Sequence, residues 1–377
     1  MVMKKVGIIT HYYGSTNYGG LLQAYALCRK LKELGVDAEQ IQYLHEDASS
    51  SKANRRKFTP RRIYSSVFYR ITQITRRRFY KNMQLRNDSL KRFRESIPHS
   101  REVYTRENIF LSNKEYDIFV TGSDQVWNMD WYDEAYFLTF VEGDKTKCSY
   151  AASLGTSQLT TDRKAILRKN VKGYSLVSVR EEDSVDLVKS VIDQDVELVL
   201  DPTLLLGQEE WNKISEKRLI EGSYAFCYFL GDSQEDRKLA ELYAKEKNLQ
   251  LVTLPYLDGK KRKCDDGFKA LKLYDISPGD FISLIKYSDA VFTDSFHASV
   301  FSILYEKNFF VFPRSQGEKM SNRITSLTKM FGNEERFCRS DERHSLAYIC
   351  SLETRKNTRT DYEKLLENSI RYLKNLN

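Results

Sequence analysis

A repeating order of apolar strand, small-residue loop and amphipathic helix constrains this chain more than any other feature. The opening shows the unit clearly: the apolar run KKVGIIT is followed by the loop HYYGSTNYGG, the helix-spaced segment LLQAYALCRKLKELG and a second apolar run, AEQIQYL. Two strands joined through a helix in this way imply parallel pairing with a right-handed crossover. Similar units recur along the chain, which predicts an α/β protein with doubly wound sheets.

The length of 377 residues exceeds what one hydrophobic core usually serves, so we expect two domains. We place an N-terminal Rossmann-like domain at residues 1–215, a C-terminal one at residues 216–357 and a terminal helix at residues 358–377. The mean hydropathy is −0.55, and no apolar run approaches the roughly 20 residues of a spanning helix. The apolar start ends at once in His11, which indicates a buried strand and no signal peptide. We therefore expect a cytoplasmic protein.

The cysteines and histidines predict no metal site. The six cysteines are scattered without a CxxC pair, and the five histidines lack the spacing of metal ligands. This pattern is typical of reduced thiols in a cytosolic protein.

The net charge of +8 is concentrated in one segment. Residues 51–101 hold sixteen Lys and Arg against two acidic residues, so they carry +14 and the remainder of the chain carries −6. We interpret this segment as a basic helical insertion with interleaved aromatic residues. It is either a solvated helical face or a contact to an anionic membrane surface at the inner face of the membrane. No nucleic-acid-binding motif accompanies it, so we expect no nucleic acid partner.

Ligands of open α/β sheets bind at the carboxyl ends of strands, and the loops there hold the candidate residues. In the first loop, glycines at a helix start let an anion approach free N–H groups or merely form a tight turn; the candidates are Asn17, Gly19 and Gly20. In a second loop, a carboxylate, two amides and an indole suit a sugar, unless the carboxylate caps a helix and the indole is core. The residues are Asp124, Gln125, Trp127 and Asn128.

Arginines supply the candidate anion ligands. Arg180 follows an apolar strand and begins a helix, where a guanidinium can clamp a phosphate or carboxylate. Arg314, the last residue of the later strand segment FFVFPR, and Arg323, which follows that segment, are further candidates. Each of the three is alternatively an ordinary surface arginine.

The sharpest site is the strand-to-helix turn VFTDSFHAS. His297 at the helix start can act as a general acid or bind an anion, and Asp294 is placed to orient it. We therefore predict His297, Asp294 and Asp124 as catalytic residues, with His297 and Arg180 on opposite walls of one electropositive gap.

These segments resemble the polysaccharide pyruvyl transferase family. VGIIT-HYYGSTNYGGLLQAYAL, VTGSDQVWN, SYAASLG, SVREEDSV, LVLDPTLLL and FTDSFHASVFSILY occur in the order seen in that family. The resemblance implies a fold like B-type glycosyltransferases, with two Rossmann-like domains facing a cleft. It also implies phosphoenolpyruvate as co-substrate without another cofactor, and a glycan or lipid-linked oligosaccharide as acceptor. Arg180 matches the family arginine at the donor's anionic groups, and His297 matches the histidine that contacts the donor and supports proton transfer.

One departure from the family pattern concerns Ser295, which stands where some relatives have an arginine. We count Ser295 with the donor-binding residues, and we expect Arg314 or Arg323 to supply the missing charge. Gln125, Trp127 and Asn128 are the predicted acceptor-binding residues. Two other functions stay open: a nucleotide-sugar glycosyltransferase of the same fold, and a non-catalytic protein that binds glycans or anions. The sequence does not fix the oligomeric state.

Overall fold

Two parallel sheets of five strands each organise the protein. The computed structural model describes residues 4–45, 66–215, 217–257, 262–314, 322–339, 341, 343–352 and 362–376. The two sheets follow one another along the chain, and all pairings between their strands are parallel. The predicted α/β class with two Rossmann-like units is confirmed.

The first sheet is built from strands whose central members are almost wholly apolar, because helices cover both of its faces. Its strands are β1 (Lys5–Ile9), β2 (Asp37–Tyr43), β3 (His99–Tyr104), β4 (Ile118–Thr121) and β5 (Thr146–Ser149), in the order β3-β2-β1-β4-β5. A short pair, β6 (Ser178–Val179) and β7 (Glu197–Leu198), continues it beyond β5 through isolated bridges. The helices are α1 (Tyr18–Glu33), α2 (Ser66–Glu95), α3 (Thr161–Val171), α4 (Glu182–Ile192) and α5 (Gln208–Asn212).

The second sheet repeats the same winding. Its strands are β8 (Tyr224–Tyr228), β9 (Gln250–Thr253), β10 (Leu271–Lys272), β11 (Ala290–Thr293) and β12 (Asn308–Val311), in the order β10-β9-β8-β11-β12. Its helices are α6 (Gln234–Glu246), α7 (Lys263–Gly267), α8 (Pro278–Lys286), α9 (Phe296–Leu304), α10 (Asn322–Met330) and α11 (Leu346–Ser351). Helix α8 begins with a capping box between Ser277 and Asp280.

Strand order reverses between β1 and β4 in the first sheet and between β8 and β11 in the second. A crevice opens at the carboxyl ends of the strands at such a switch point, and ligands of this class of fold bind there. The loops that follow β1, β4, β8 and β11 hold most of the candidate residues.

Helices from both halves pack together and bring these loops into contact. The ring of Tyr18 on α1 stacks on Phe281 of α8 with ring centroids 4.9 Å apart, and its hydroxyl donates to the Ile276 carbonyl at 3.0 Å. The last helix, α12 (Tyr362–Lys374), packs against the first sheet, where the Tyr372 hydroxyl donates to the Ser149 carbonyl at 2.7 Å. The chain thus returns to its first half after completing the second.

The basic segment is not confirmed as an insertion. Its helix α2 joins β2 to β3, which pair as neighbours in the sheet, so α2 is the crossover connection of that unit. The sequence prediction missed this because charged residues conceal the apolar side of a long connecting helix. Residues 51–65 of the predicted insertion lie outside the described residues.

Among the described residues, none of the helices has both the length and the apolar character needed to cross a lipid bilayer. Contact of residues 51–101 with an anionic membrane surface stays a prediction.

Candidate active site

Arg180 lies at the centre of a cage of carboxylates between the two sheets. Its Nη1 donates to Asp201 Oδ2 at 2.6 Å and its Nε to Glu181 Oε1 at 3.1 Å, while Nη2 lies 3.8 Å from Asp124 Oδ1. The guanidinium carbon is 4.4 Å from the ring centroid of Phe296, which comes from the second half of the chain. Burial lowers the pKa of Arg180, but Glu181 and Asp201 outweigh burial and raise it above its ordinary value. Arg180 is therefore a permanently charged and firmly oriented cation.

Arg323, on α10 in the second half of the chain, also lies beside Asp124 of this cluster. Its Nη1 lies 3.7 Å from Asp124 Oδ1. With its amide oxygen turned toward Arg323, Gln125 accepts hydrogen bonds from Nη1 and Nη2 at 2.9 and 2.8 Å. Burial, and then the neighbouring charge of Arg180, lower the pKa of Arg323 to about 10. The charge of Arg323 is thus less compensated than that of Arg180.

His297 reaches across from the second half to the first. It is the second residue of α9, whose N-cap Ser295 accepts the N–H of Ala298. Its Nε2 lies 3.7 Å from Asp201 Oδ2, the same oxygen that Arg180 binds. The other side of the ring packs on Gly19 of α1 so closely that a Cβ atom at Gly19 would lie 2.0 Å from Nδ1. His297 and Arg180 therefore share one carboxylate.

Asp294 is not the partner of His297, contrary to the sequence prediction. Its carboxylate accepts the backbone N–H groups of Leu230 and Gly231 at 2.7 and 2.6 Å, and it lies 3.8 Å from Nε of Arg314. These bonds join the ends of β11 and β8, so Asp294 holds the loops together. Asp201, which sequence reasoning missed, faces the histidine. Its only signal was a carboxylate directly after the apolar run VELVL.

Asp124 sits between the two arginines and does not cap a helix. Burial alone would raise the pKa of its carboxyl, but Arg180, His297 and Arg323 outweigh burial and lower it. An ionised carboxylate with a lowered pKa is a weak base, so this position suits Asp124 to orienting the guanidinium groups.

Of the three predicted acceptor-binding residues, Trp127 is not placed to bind a sugar. The Trp127 ring is fully buried and packs parallel to Phe137, with centroids 6.2 Å apart, so it offers no free face. The apolar surroundings of this indole make it a core residue, as the alternative interpretation of the motif held. The exposed indole of this loop is Trp131, of which 53% is accessible. Asn128 caps the turn that leads to Trp131, accepting the N–H of Asp130 at 2.9 Å, and its side chain contacts the Gln125 amide.

The loop before α1 forms a tight turn in which the Asn17 side chain bonds to the backbone of the same turn. Asn17 caps α1, with its Oδ1 accepting the N–H of Gly19 at 3.0 Å. A Cβ atom at Gly20 would lie 2.9 Å from the His11 carbonyl oxygen. Gly19 leaves room for His297 rather than for a ligand, which corrects the expectation of a donor binding against these glycines.

His11, which the sequence places after the first strand and which was not predicted as a site residue, belongs to the same cluster. It hydrogen-bonds to the backbone of Gln125 and interacts electrostatically with Asp124. Its ring centroid lies 4.1 Å from that of Tyr136. Burial is the largest influence and lowers its pKa below 6.5. His11 is therefore a neutral imidazole near pH 7.

The charges of the cluster nearly balance. Asp124, Glu181 and Asp201 oppose Arg180 and Arg323, so the expectation of a strongly electropositive gap is wrong for this cluster. In the part of the chain that the structure describes, three nitrogens of this cluster nevertheless have no hydrogen-bond partner: Arg180 Nη2, Arg323 Nε and His297 Nε2. A cavity of about 460 Å³ reaches Arg180 from the side of α10 and α12, with Ser326 and Leu365 among its walls. Within the described part of the chain, no three His, Cys, Asp or Glu residues are grouped to hold a metal ion.

Replacing Gly19 by Ala should destabilise the protein because the new methyl group would overlap His297. We expect a loss of about 1–3 kcal/mol in the free energy of unfolding, the range typical of overpacking. In a His297→Ala background the same change should be neutral or stabilising, because alanine favours a helix. Thermal or urea unfolding of the four variants gives this double-mutant cycle. Gly207→Ala is the control, since a Cβ there meets no atom within 4 Å; an equal penalty for Gly19→Ala in both backgrounds would contradict the contact.

Solved structures with the same architecture include two epimerases that bind UDP-GlcNAc. UDP-GlcNAc 2-epimerase from Methanocaldococcus jannaschii, in complex with UDP-GlcNAc and UDP, is similar at a TM-score of 0.53 and 12% identity, over 97% of this chain and 99% of that one. UDP-GlcNAc 2-epimerase from Neisseria meningitidis, bound to UDP-GlcNAc, is similar at a TM-score of 0.52 and 9% identity, over 98% and 100% of the two chains. Identities this low show the fold alone. The fold is glycosyltransferase-B-like, with two Rossmann-like domains facing a cleft.

Sequence comparison is more specific about the family. No curated protein matches this chain. The family model described as polysaccharide pyruvyl transferase matches residues 17–316, a span that contains Gly19, Asp124, Arg180, Asp201 and His297. Since this match covers most of the 377 residues, the chain belongs to the polysaccharide pyruvyl transferase family, a family of transferases.

Proposed function

We propose that this protein transfers the pyruvyl group of phosphoenolpyruvate to two hydroxyls of a sugar, forming a pyruvate ketal in a bacterial exopolysaccharide or other cell-surface glycan. The observation that carries the proposal is a set of nitrogens on Arg180, Arg323 and His297 that are buried where the two halves meet and have no hydrogen-bond partner among the described residues. Buried polar groups almost always have partners, so these nitrogens favour a bound anion at this point. The family membership agrees with this choice of anion.

The two arginines would hold the donor in different ways. The guanidinium of Arg180 is held in place by its hydrogen bonds to Glu181 and Asp201. Its remaining nitrogen, Nη2, would bind the phosphate or carboxylate of the donor. Arg323 has a pKa lowered to about 10, so it is still charged near pH 7 but holds its proton less firmly than a solvated arginine does. A bound anion would stabilise the charged form of Arg323, so this cluster favours a negatively charged ligand.

His297 is the proposed general acid. Its Nε2 has no hydrogen bond and lies 3.7 Å from Asp201, which can hold the imidazole in place. In the proposed reaction His297 gives a proton to the methylene carbon of phosphoenolpyruvate, and a sugar hydroxyl attacks the neighbouring carbon. The bond from that carbon to the phosphate oxygen breaks, phosphate leaves, and a second hydroxyl closes the ketal. The acceptor loses two hydroxyl protons: one restores His297 and the other leaves with phosphate.

His11 is the proposed general base for the first acceptor hydroxyl: it takes the proton that afterwards leaves with phosphate, while the proton of the second hydroxyl restores His297. It is neutral near pH 7 because burial lowers its pKa, and one ring nitrogen is engaged by the Gln125 backbone. The second nitrogen of a neutral imidazole is a proton acceptor. Asp124, whose pKa is lowered by the arginines, would position the two guanidinium groups and not remove protons.

The donor is tested directly by thermal unfolding in the presence of candidate ligands. Phosphoenolpyruvate at 100 times its Kd should stabilise the protein by about 2.7 kcal/mol, which raises the melting temperature by several degrees. UDP and GDP should give no such shift. Arg323→Gln should remain folded and lose the response to phosphoenolpyruvate, while Arg163→Gln, which removes an exposed arginine paired with Asp130, should keep it. Stabilisation by UDP or GDP alone would favour a nucleotide-sugar glycosyltransferase.

His297→Ala should lower turnover at least about a hundredfold and leave the protein folded, because a general acid typically contributes 10²–10⁴ in rate. Pyruvyl transfer to sugar acceptors is measured by the mass gain of the glycan and by phosphate release. The matched control is His344→Ala, since His344 also faces a carboxylate, with its Nε2 2.8 Å from Asp236, but lies in a cluster that contains none of the proposed catalytic residues. Near-normal turnover of His297→Ala would remove this histidine from the mechanism.

The acid side of the pH profile should report on His11. The base must be unprotonated, and burial lowers its pKa from the ordinary value, so kcat/KM should fall on the acid side as the pH drops through that lowered pKa. His11→Gln should have low activity and no such decline in that range, whereas His99→Gln should keep the wild-type profile. A decline that persists in His11→Gln would assign the titration to another group.

A further inference from the structure

Arg86 is a buried cation in the first half of the chain. It lies on α2 and is 7% exposed, and no described Asp or Glu oxygen comes within 4 Å of its nitrogens. Its Nη2 donates to the Thr16 carbonyl at 2.5 Å and its guanidinium carbon lies 5.3 Å from the Tyr18 ring centroid, but its Nε has no partner. Buried charges in proteins are normally paired, as Arg180 and Arg237 are here. Within the described part of the chain, the charge of Arg86 is therefore not balanced by an acidic side chain.

Tyr228 presents a second unpartnered group beside Arg86. It ends β8 in the other half of the chain, is 3% exposed, and its hydroxyl has no hydrogen-bond partner among the described residues. Its ring centroid lies 5.9 Å from that of Tyr18, the ring that Arg86 covers. Burial raises the pKa of the Tyr228 hydroxyl to about 12, against the opposing effect of Arg86 and then Arg314. Both guanidinium groups thus lie within electrostatic reach of this hydroxyl.

Arg314 completes the group from the end of β12. Its Nε donates to the Asp294 backbone carbonyl at 3.2 Å, and in the described residues its two terminal nitrogens have no hydrogen bond. The Asp294 carboxylate lies 3.8 Å away but is already compensated by the N–H groups of Leu230 and Gly231. Two arginines from opposite halves and one phenol therefore lie within electrostatic range of one another, with the Asp294 carboxylate beside Arg314.

We propose that Arg86, Tyr228 and Arg314 form a second anion-binding site, which takes a phosphate or diphosphate group. Two forked guanidinium groups and a hydroxyl suit the several oxygens of such a group better than a single carboxylate. The assignment of this group to the glycan acceptor, rather than to free phosphate, rests on the proposed function.

The position of this site relative to the first supports that assignment. Tyr18, which contacts Arg86 and Tyr228, is the neighbour of Gly19, which contacts His297. Arg314 binds the backbone of Asp294, three residues before His297. A phosphate held here would place the sugar attached to it next to the proposed general acid.

The test measures binding of inorganic pyrophosphate by titration calorimetry, with no turnover required. Arg86→Gln should weaken its affinity at least tenfold, since a charged hydrogen bond is removed. Tyr228→Phe should weaken it about threefold or more and should leave the free protein as stable as before or more stable, because the deleted hydroxyl has no partner. Arg92→Gln, on the same helix but 66% exposed, should bind like wild type. Unchanged affinity in both Arg86→Gln and Tyr228→Phe would overturn the site.

Competition separates this site from the donor site. Saturating phosphoenolpyruvate should leave pyrophosphate affinity unchanged within about threefold; displacement that disappears in Arg323→Gln would place pyrophosphate in the donor cage and overturn the proposal. A sugar 1-diphosphate that binds tenfold tighter than pyrophosphate, with the gain lost in Arg86→Gln, identifies the acceptor as the source. Equal affinities identify free phosphate. Failure of phosphoenolpyruvate to bind would count against the proposed function and leave this site standing.

Discussion

The carboxylate of Asp201 is the point on which the arrangement of the two halves depends. One of its oxygens binds Arg180 at 2.6 Å and lies 3.7 Å from His297, while its other oxygen accepts the N–H and hydroxyl of Thr203. The carboxylate is fully buried, and burial alone would raise its pKa; His297 and then Arg180 outweigh burial and lower it far below its ordinary value. The ionised carboxylate of Asp201 therefore holds Arg180 of the first half and His297 of the second half in fixed positions relative to each other.

Such a cluster is held together by charge balance, which also determines how it responds to a ligand. Removing one partner from a buried ion network leaves the others uncompensated, so each member constrains the rest. Arg180 has three carboxylates near it and stays charged, whereas Arg323 shares Asp124 with Arg180 and is under-compensated. An incoming anion therefore interacts most favourably with Arg323 and with the unused nitrogens, and the carboxylates behind Arg180 keep that side chain from swinging toward it.

The ordered motifs were sufficient to predict which loops meet, but not which side chains face each other. Strand and helix patterns place residues 124, 180 and 297 at carboxyl ends of parallel strands, and these residues do converge. The partner of His297 could not be predicted, because Asp294 and Asp201 both follow apolar strands and only the backbone path of each loop decides where the carboxylate points. Asp124 illustrates this: its φ of 70° turns it between two arginines. Trp127 was misplaced because composition cannot distinguish an indole beside a sugar site from one in the core beneath it.

The N-terminus of α1 relates the two sites to one another. Tyr18 and Gly19 are consecutive, so the ring beside Arg86 and the backbone beneath His297 are fixed by one peptide unit whose Cα atoms lie about 3.8 Å apart. Because both residues are buried against the second half of the chain, a change in the packing of α1 would move both sites together. The distance between a donor at Arg180 and a phosphate at Arg86 is then set by a rigid helix end and not by flexible side chains. Such an arrangement would select acceptors in which the reacting hydroxyls lie at a fixed distance from an anionic group.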